Sequence, residues 1–487
     1  MVRMLFILTL AILNFPFASG QNNGMRKLDS GQKSNQSTSY EITVRLQNYT
    51  GKEIYMAQYY ADKPYLMDTV RMSENGTFVF SGNEPLNAGM YFIVLPPKND
   101  FLQFVLSETE QKLTISADVK NIPNSIEISG SPDNTLFYKY LRYVEEQQKA
   151  IREINDQINA ATGSTEALEE KRKRLREEID EYKMDLHRKH PTTVTSRITY
   201  ADLEKPIPEY EGDEEAVKMK KFYFKRAHYF DYIDLSSEVL LRSPVMMKKV
   251  DFYLEKMTPQ SADSIIKALD VILPLAQNGE ECFRYLFIQY INEYGQTQTL
   301  NFDKIFVHLV NTWINTGKAE FLEPDVKRKL VEKASKMEPI LIGKPAPEIT
   351  VQNQDGNLVN LYDIDAEYMV MVFWKPDCPT CQKAAPYLVK FADKYKPQGV
   401  DVFAVCVTQG DESSTCWDYA DEKGYSERFL NTIDPYNSSR FYQKYDVRTT
   451  PRIMILNKDK EILVNMCGAQ QLEEIFEAVR ERDQNGE

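Results

Sequence analysis

Two thiols stand where a strand must hand over to a helix, and that placement limits the fold more than any other feature of the chain. The segment Trp374-Lys375-Pro376-Asp377-Cys378-Pro379-Thr380-Cys381 follows the apolar run Tyr368 to Phe373 and precedes a helical pattern. A cysteine at a helix N-terminus meets unpaired backbone N–H groups and the positive end of the dipole, which favour thiolate over thiol. The second cysteine, three positions on, lies one turn away and can close a disulfide with the first. Cys-x-x-Cys pairs also bind zinc, but those sites usually need a second pair at a suitable distance, and the sequence has none. Pro386, inside the helix that the dithiol begins, is expected to kink it.

Further along, Tyr445-Asp446-Val447-Arg448-Thr449-Thr450-Pro451 leads into the strand-like run Arg452 to Leu456 and then the polar turn Asn457 to Lys460. A proline opening a strand opposite a redox pair is a candidate cis peptide. With these landmarks the stretch 342–487 resembles the thioredoxin fold and, within it, the envelope-located reductases of the TlpA/ResA type. The matched features are Gly343-Lys344-Pro345-Ala346-Pro347, the Phe373-Trp374 pair ahead of Cys378 and Cys381, Pro386, and Thr450-Pro451. The resemblance implies that Cys378 attacks, that Cys381 resolves, and that Thr450 before the cis-proline Pro451 pairs with an incoming peptide, with Trp374 also facing substrate. Two departures stand out. Asp377 occupies the position where an aromatic often precedes the first cysteine, and the strand Met369 to Phe373 lacks the acid that thioredoxin itself buries behind its dithiol. A carboxylate close to Cys378 and poorly solvated would oppose thiolate formation.

At 487 residues the chain is too long for one core, and about three domains are expected. Arg3, the apolar stretch Met4 to Phe17 and Ala18-Ser19-Gly20 before Gln21 read as a cleavable signal peptide over 1–20, with a polar leader over 21–39. Export to the periplasm is the expectation, as a soluble protein, since no cysteine starts the mature chain and no later run is apolar enough to span a bilayer. A net charge of −13 argues against nucleic acid or an anionic membrane as the main partner. Among the other cysteines, Cys406 in the strand-like run Val402 to Val407 and Cys282 in an aromatic helical stretch read as small core residues. Cys416 and Cys467 are open to pairing with each other.

Residues 40–130 alternate short β-like runs with turn signals, such as Ile42 to Leu46, then Glu74-Asn75-Gly76-Thr77 before Phe78-Val79-Phe80, which predicts an all-β sandwich. This segment resembles the uncharacterised β-domain found ahead of thioredoxin-like domains in exported proteins of the Bacteroidota. From 134 to 336 the apolar spacing turns helical. Phe137, Leu141, Val144, Ile151, Ile154 and Ile158 recur on one face, and after Thr162-Gly163-Ser164 the series resumes at Leu168, Leu175, Ile179, Tyr182 and Leu186, predicting a helical hairpin. Pro244, Pro259 and Pro274 mark expected interruptions of an α-helical middle domain. No metal site is expected: His187 and His190 are three apart but Pro191 follows at once, and His228 and His308 stand alone among aromatics. Nor is a cofactor expected.

The leading functional reading is a thiol:disulfide oxidoreductase of the cell envelope that acts on protein thiols and disulfides and draws on an upstream reductant or oxidant. Two alternatives stand beside it. A peroxiredoxin shares the segment Gly343 to Pro347, but its Pro-x-x-x-Thr/Ser-x-x-Cys pattern, laid over Pro376 and Thr380, needs a cysteine where Lys383 stands. A non-catalytic binding or scaffold protein would use the first two domains.

Overall fold

The computed structural model describes residues 39–485 apart from 123 and 298. The expected signal peptide and nearly all of the leader lie outside the described residues. Among the described residues eight strands come first: β1 (Tyr40–Gln47), β2 (Glu53–Tyr60), β3 (Lys63–Arg71), β4 (Phe78–Gly82), β5 (Gly89–Leu95), β6 (Asp100–Leu106), β7 (Lys112–Asp118) and β8 (Glu127–Ser129). They form two four-stranded sheets, ordered β4-β1-β7-β8 and β3-β2-β5-β6. The period of two explains the burial: Ile42 and Val44 of β1 and Phe78 and Phe80 of β4 point inward, while Glu41, Arg45 and Val79 stay exposed. The N-terminal region is thus built of β-sheet, as expected.

Helices follow: α1 (Pro132–Ala160), α2 (Glu166–Lys189), α3 (Val194–Ala201), α4 (Glu214–Ala227), α5 (Glu238–Leu241) and α6 (Val245–Lys256). After them come α7 (Ala262–Ala276), α8 (Glu280–Gln296), α9 (Asp303–Leu309) and α10 (Pro324–Met337). Ser131 caps α1 by accepting from the Asn134 amide, and Pro132 takes the first turn, where its missing N–H costs nothing. The predicted hairpin is α1 and α2, joined at 161–165 and sealed by Tyr140, Val144, Ile151 and Ile179, with Tyr143 stacked on Tyr182 at 4.4 Å. Pro274 does not interrupt its helix but lies inside α7.

The helical segment expected as one body over 134–336 is divided. One compact unit runs up to Pro259 and takes Ala268–Leu286; the other takes Gln260–Lys267 and everything from Phe287. Within the second unit the cause is visible. Asp303, opening α9, accepts a hydrogen bond from Nδ2 of buried Asn465 at 2.5 Å, which ties α9 to the C-terminal sheet, and Lys333 of α10 bonds the Gly295 carbonyl at the end of α8, which ties these helices to one another.

That sheet has seven strands: β9 (Thr350–Gln352), β10 (Leu358–Asn360), β11 (Tyr368–Trp374), β12 (Val400–Cys406), β13 (Leu430–Ile433), β14 (Arg452–Asn457) and β15 (Ile462–Cys467), in the order β10-β9-β13-β12-β11-β14-β15. Its helices are α11 (Pro379–Tyr395), α12 (Thr415–Glu422), α13 (Phe441–Lys444) and α14 (Leu472–Asn485). β11 is parallel to β12 and antiparallel to β14, and all seven of its residues are buried, as a strand covered on both faces requires. Val370, Val372 and Trp374 face the side packed by Leu388, Phe391, Cys416 and Phe476, while Met369, Met371 and Phe373 face Ile349, Leu361, Phe441 and Tyr445. The segment Gly343 to Pro347 pairs with the start of β15, where Gly343 donates to Ile462 O and Ala346 to Lys460 O. The parallel strands β11, β12 and β13 end together, and the antiparallel β14 begins at that same end. Four loops therefore meet there, including the one carrying the dithiol.

Candidate functional site

Cys378 is the N-cap of α11. Its backbone is extended (φ −86°, ψ 114°), Pro379 fills the first helical position, and its sulfur accepts from the Cys381 amide at 3.3 Å. A serine or aspartate oxygen would make the same cap with a harder atom; sulfur makes it with one that gains most when ionised, beside the positive end of the helix. On its other side the Cys378 thiol donates to the Thr450 carbonyl at 3.2 Å. The loop before it is braced by Gln382, whose side chain donates to Pro376 O at 2.9 Å. Pro386 lies inside α11 as expected.

The two thiols differ in the way exchange chemistry requires. Burial pushes the Cys378 thiol up, but hydrogen bonds with Thr450 and Cys381 and the N–H groups of Cys381 and Thr380 outweigh it, and the thiol titrates below its ordinary value. Cys381, one turn deeper, is pushed up to about 12, first by burial and next by its bond to Cys378. Asp377 does not counter this asymmetry, since its carboxylate is turned to solvent with 73 % exposure and pairs with Lys375 at 3.2 Å. Iodoacetamide labelling of the reduced protein is therefore expected to rise with pH through a midpoint below the ordinary thiol range at Cys378 and to spare Cys381 at neutral pH. Parallel labelling of both, with a midpoint at or above that range, would contradict the asymmetry.

Behind the dithiol stands an aromatic wall. Trp374, expected to face substrate, is only 2 % exposed and packs against Tyr419 and Tyr425, with ring centroids 5.3 and 5.4 Å away. It forms the floor behind the cysteines rather than an open contact surface, because β11 is covered on both faces up to its last residue. The sequence reading missed both tyrosines, which come from a helix and the loop after it, far along the chain.

Nor did it find the cysteine pairing. Cys406 is not a lone core residue and Cys416 does not pair with Cys467: Cys406 and Cys416 form a disulfide, with Cα atoms 6.3 Å apart, and Cys467 is free. The reason is local. Cys406 ends β12 opposite Trp374, Cys416 lies in the first turn of the next helix, and the loop between them returns the chain over the strand end. Two cysteines ten residues apart, one closing a strand and one opening a helix, were the available signal. Cys282 is buried, as expected.

The peptide bond from Thr450 to Pro451 is cis, and Thr450 is the residue whose carbonyl meets Cys378. Thus Cys378, Cys381, Thr450 and Pro451, remote in sequence, converge on one end of the sheet, with Trp374 beneath. The histidines lie elsewhere: His187 bonds Ser196 and stacks on Tyr200, and His228 bonds Asp231. Among the described residues no helix is long and apolar enough to cross a membrane.

Three family models match the chain: Redoxin at residues 341–475, and two domains of unknown function, DUF4369 at 40–137 and DUF5106 at 161–337. The thiol-disulfide oxidoreductase ResA of Bacillus cereus is 27 % identical over 146 residues, covering 30 % of this chain and 81 % of that protein. ResA of Bacillus subtilis is 25 % identical over 131 residues, covering 27 % and 70 %. Among solved structures, a domain of a possible thiol-disulfide isomerase from Cytophaga hutchinsonii is 28 % identical with a TM-score of 0.28, covering 30 % of this chain and 97 % of that one. A thioredoxin-like protein from Bacteroides caccae is 17 % identical with a TM-score of 0.42, covering 57 % and 98 %.

Proposed function

We propose that this chain is a multidomain thioredoxin-like oxidoreductase of the TlpA/ResA type, and that it exchanges disulfides with protein partners in the bacterial cell envelope through Cys378 and Cys381. The observation that carries this reading is the pair of unequal thiols at the head of α11, one capping the helix and favoured as thiolate, the other one turn deeper and held as thiol. In the reducing direction the Cys378 thiolate attacks a sulfur of the partner's disulfide. The partner's S–S bond breaks, its other sulfur leaves as thiolate and takes a proton, and Cys378 is held in a mixed disulfide. Cys381 then loses its proton and attacks Cys378, the partner departs reduced, and the pair is left oxidised for an upstream donor of electrons to restore. Running the same steps backward oxidises a partner dithiol.

Thr450 and Pro451 are the groups we assign to holding the partner's backbone beside Cys378, and Trp374 supports the floor beneath. Support for the envelope comes from the Cys406–Cys416 disulfide, a bond that persists in oxidising compartments and is rare where thiols are kept reduced. A Cys381→Ser variant keeps the attack and lacks the resolution, so it should accumulate covalent complexes with envelope proteins, visible on non-reducing electrophoresis and released by reductant. If it traps nothing in cells, protein disulfide exchange is not the task of this chain.

A further inference from the structure

Two polar atoms in the wall behind the dithiol have no hydrogen-bond partner among the described residues: the Tyr419 hydroxyl and Nε1 of Trp374, on residues 9 % and 2 % exposed. A buried donor left unpaired is costly to the resting fold and calls for a partner that exists in another state. The placement of Tyr419 is enforced. Cys416 precedes it by three positions on the same face of α12 and is bonded to Cys406 at the end of β12, the residue opposite Trp374 in the sheet. Tyr419 packs on Trp374 in the same buried cluster as Cys378 and Cys381.

The missing partner is supplied by the chemistry. In the resting dithiol Cys381 is a neutral buried thiol, a poor acceptor. To resolve a mixed disulfide it must become a thiolate, a strong acceptor, and all seven residues of β11 are apolar or aromatic, so no carboxylate from that strand can take up its proton. The groups acting on Tyr419 are Lys423, whose Nζ stands over its ring at 5.5 Å, Glu422 on the same helix, and the two thiols, with Cys381 acting more strongly than Cys378. Burial dominates and holds the phenol above its ordinary value, so the hydroxyl keeps its proton throughout.

We propose that the Tyr419 hydroxyl donates a hydrogen bond to the Cys381 thiolate as it attacks Cys378, making an interaction that is absent from the resting enzyme and present during resolution. This deepens the proposed exchange function and rests on it. The Tyr419 proton stays on oxygen. The Cys381 proton passes through solvent to the departing sulfur, the Cys381–Cys378 bond forms as the Cys378–partner bond breaks, and the electron pair leaves with the partner. An interaction made only in the reacting state raises the rate of that step without tightening substrate binding.

The test separates the two steps on the full chain. An aromatic disulfide reagent that releases a coloured thiolate yields one equivalent when Cys378 attacks and a second when Cys381 resolves. Tyr419→Phe is expected to leave the first release unchanged and slow the second roughly 10- to 100-fold, moving its pH dependence upward, the scale on which loss of one such donor acts. Its thermal unfolding should be unchanged or shifted upward, because the oxygen removed has no partner in the resting fold. Equal rates and pH profiles in parent and variant would overturn the proposal and leave the exchange reading standing. Slowing of both steps together with a lowered unfolding temperature would also overturn it, assigning Tyr419 to packing. A parent protein that releases no first equivalent would overturn both readings.

Discussion

A Cys378→Ser variant is expected to lose thiol–disulfide exchange by more than about 10³-fold while folding as stably as the parent, the scale on which removal of a nucleophile acts. Both halves of the expectation follow from one geometry. The sulfur is the only atom of the residue that ionises within reach of neutral pH, and the hydrogen bonds that hold its thiolate down in pKa do nothing comparable for a hydroxyl. The same sulfur caps α11 by accepting from the Cys381 amide, and a serine oxygen is among the preferred atoms for that position. Stability should therefore be kept and activity lost. Insulin-type disulfide reduction and thermal unfolding on the same preparation measure the two together. Retained exchange in this variant would move the attacking role to another thiol.

Removing the second disulfide should act in the opposite way, on the fold first. Replacing Cys406 and Cys416 by Ala together is expected to destabilise the C-terminal unit by about 3 kcal/mol, from the loop-closure entropy of a bridge spanning a short loop. The unfolding transition of that unit should fall by roughly 5–10 °C. The bridge ties the end of β12 to the helix that carries Tyr419, so the second equivalent in the two-step assay should also slow, while the first persists. The measurement is calorimetry of parent and double variant under non-reducing conditions. Coincident transitions would mean that packing of Trp374, Tyr419 and Tyr425 alone holds this wall.

Much of the site was legible because its parts carry local signals. Cys378 and Cys381 sit one turn apart after an apolar run, and Pro451 opens a strand, so motif and period placed them on the right elements. The β-domain was readable from alternation and turns, and the α1–α2 hairpin from spacing that breaks at Thr162 to Ser164. What could not be read was decided by tertiary closure. Trp374 looks like a surface aromatic beside a motif, but Tyr419 and Tyr425, brought back over the strand end, cover its ring and bury it. Cys406 rests in the core as read, but it is also bonded there to Cys416 because the loop after β12 folds back over the strand end, a fact of path and not of composition. Tyr419 enters the buried cluster that holds the dithiol only through that same fold-back. The helical segment reads as one domain because its periodicity is continuous, whereas contacts such as Asp303 with Asn465 assign its last helices to the C-terminal unit.

The central claim is that Cys378 and Cys381 form one reversible couple. It is tested most directly by equilibrating the protein in glutathione buffers of graded poise, quenching with an alkylating reagent, and counting labelled cysteines by mass spectrometry. The account predicts that Cys378 and Cys381 gain and lose label together in a single two-electron transition, with Cys406 and Cys416 remaining paired throughout it. Cys378 and Cys381 labelled independently of each other, or unlabelled and unpaired at every poise, would contradict it.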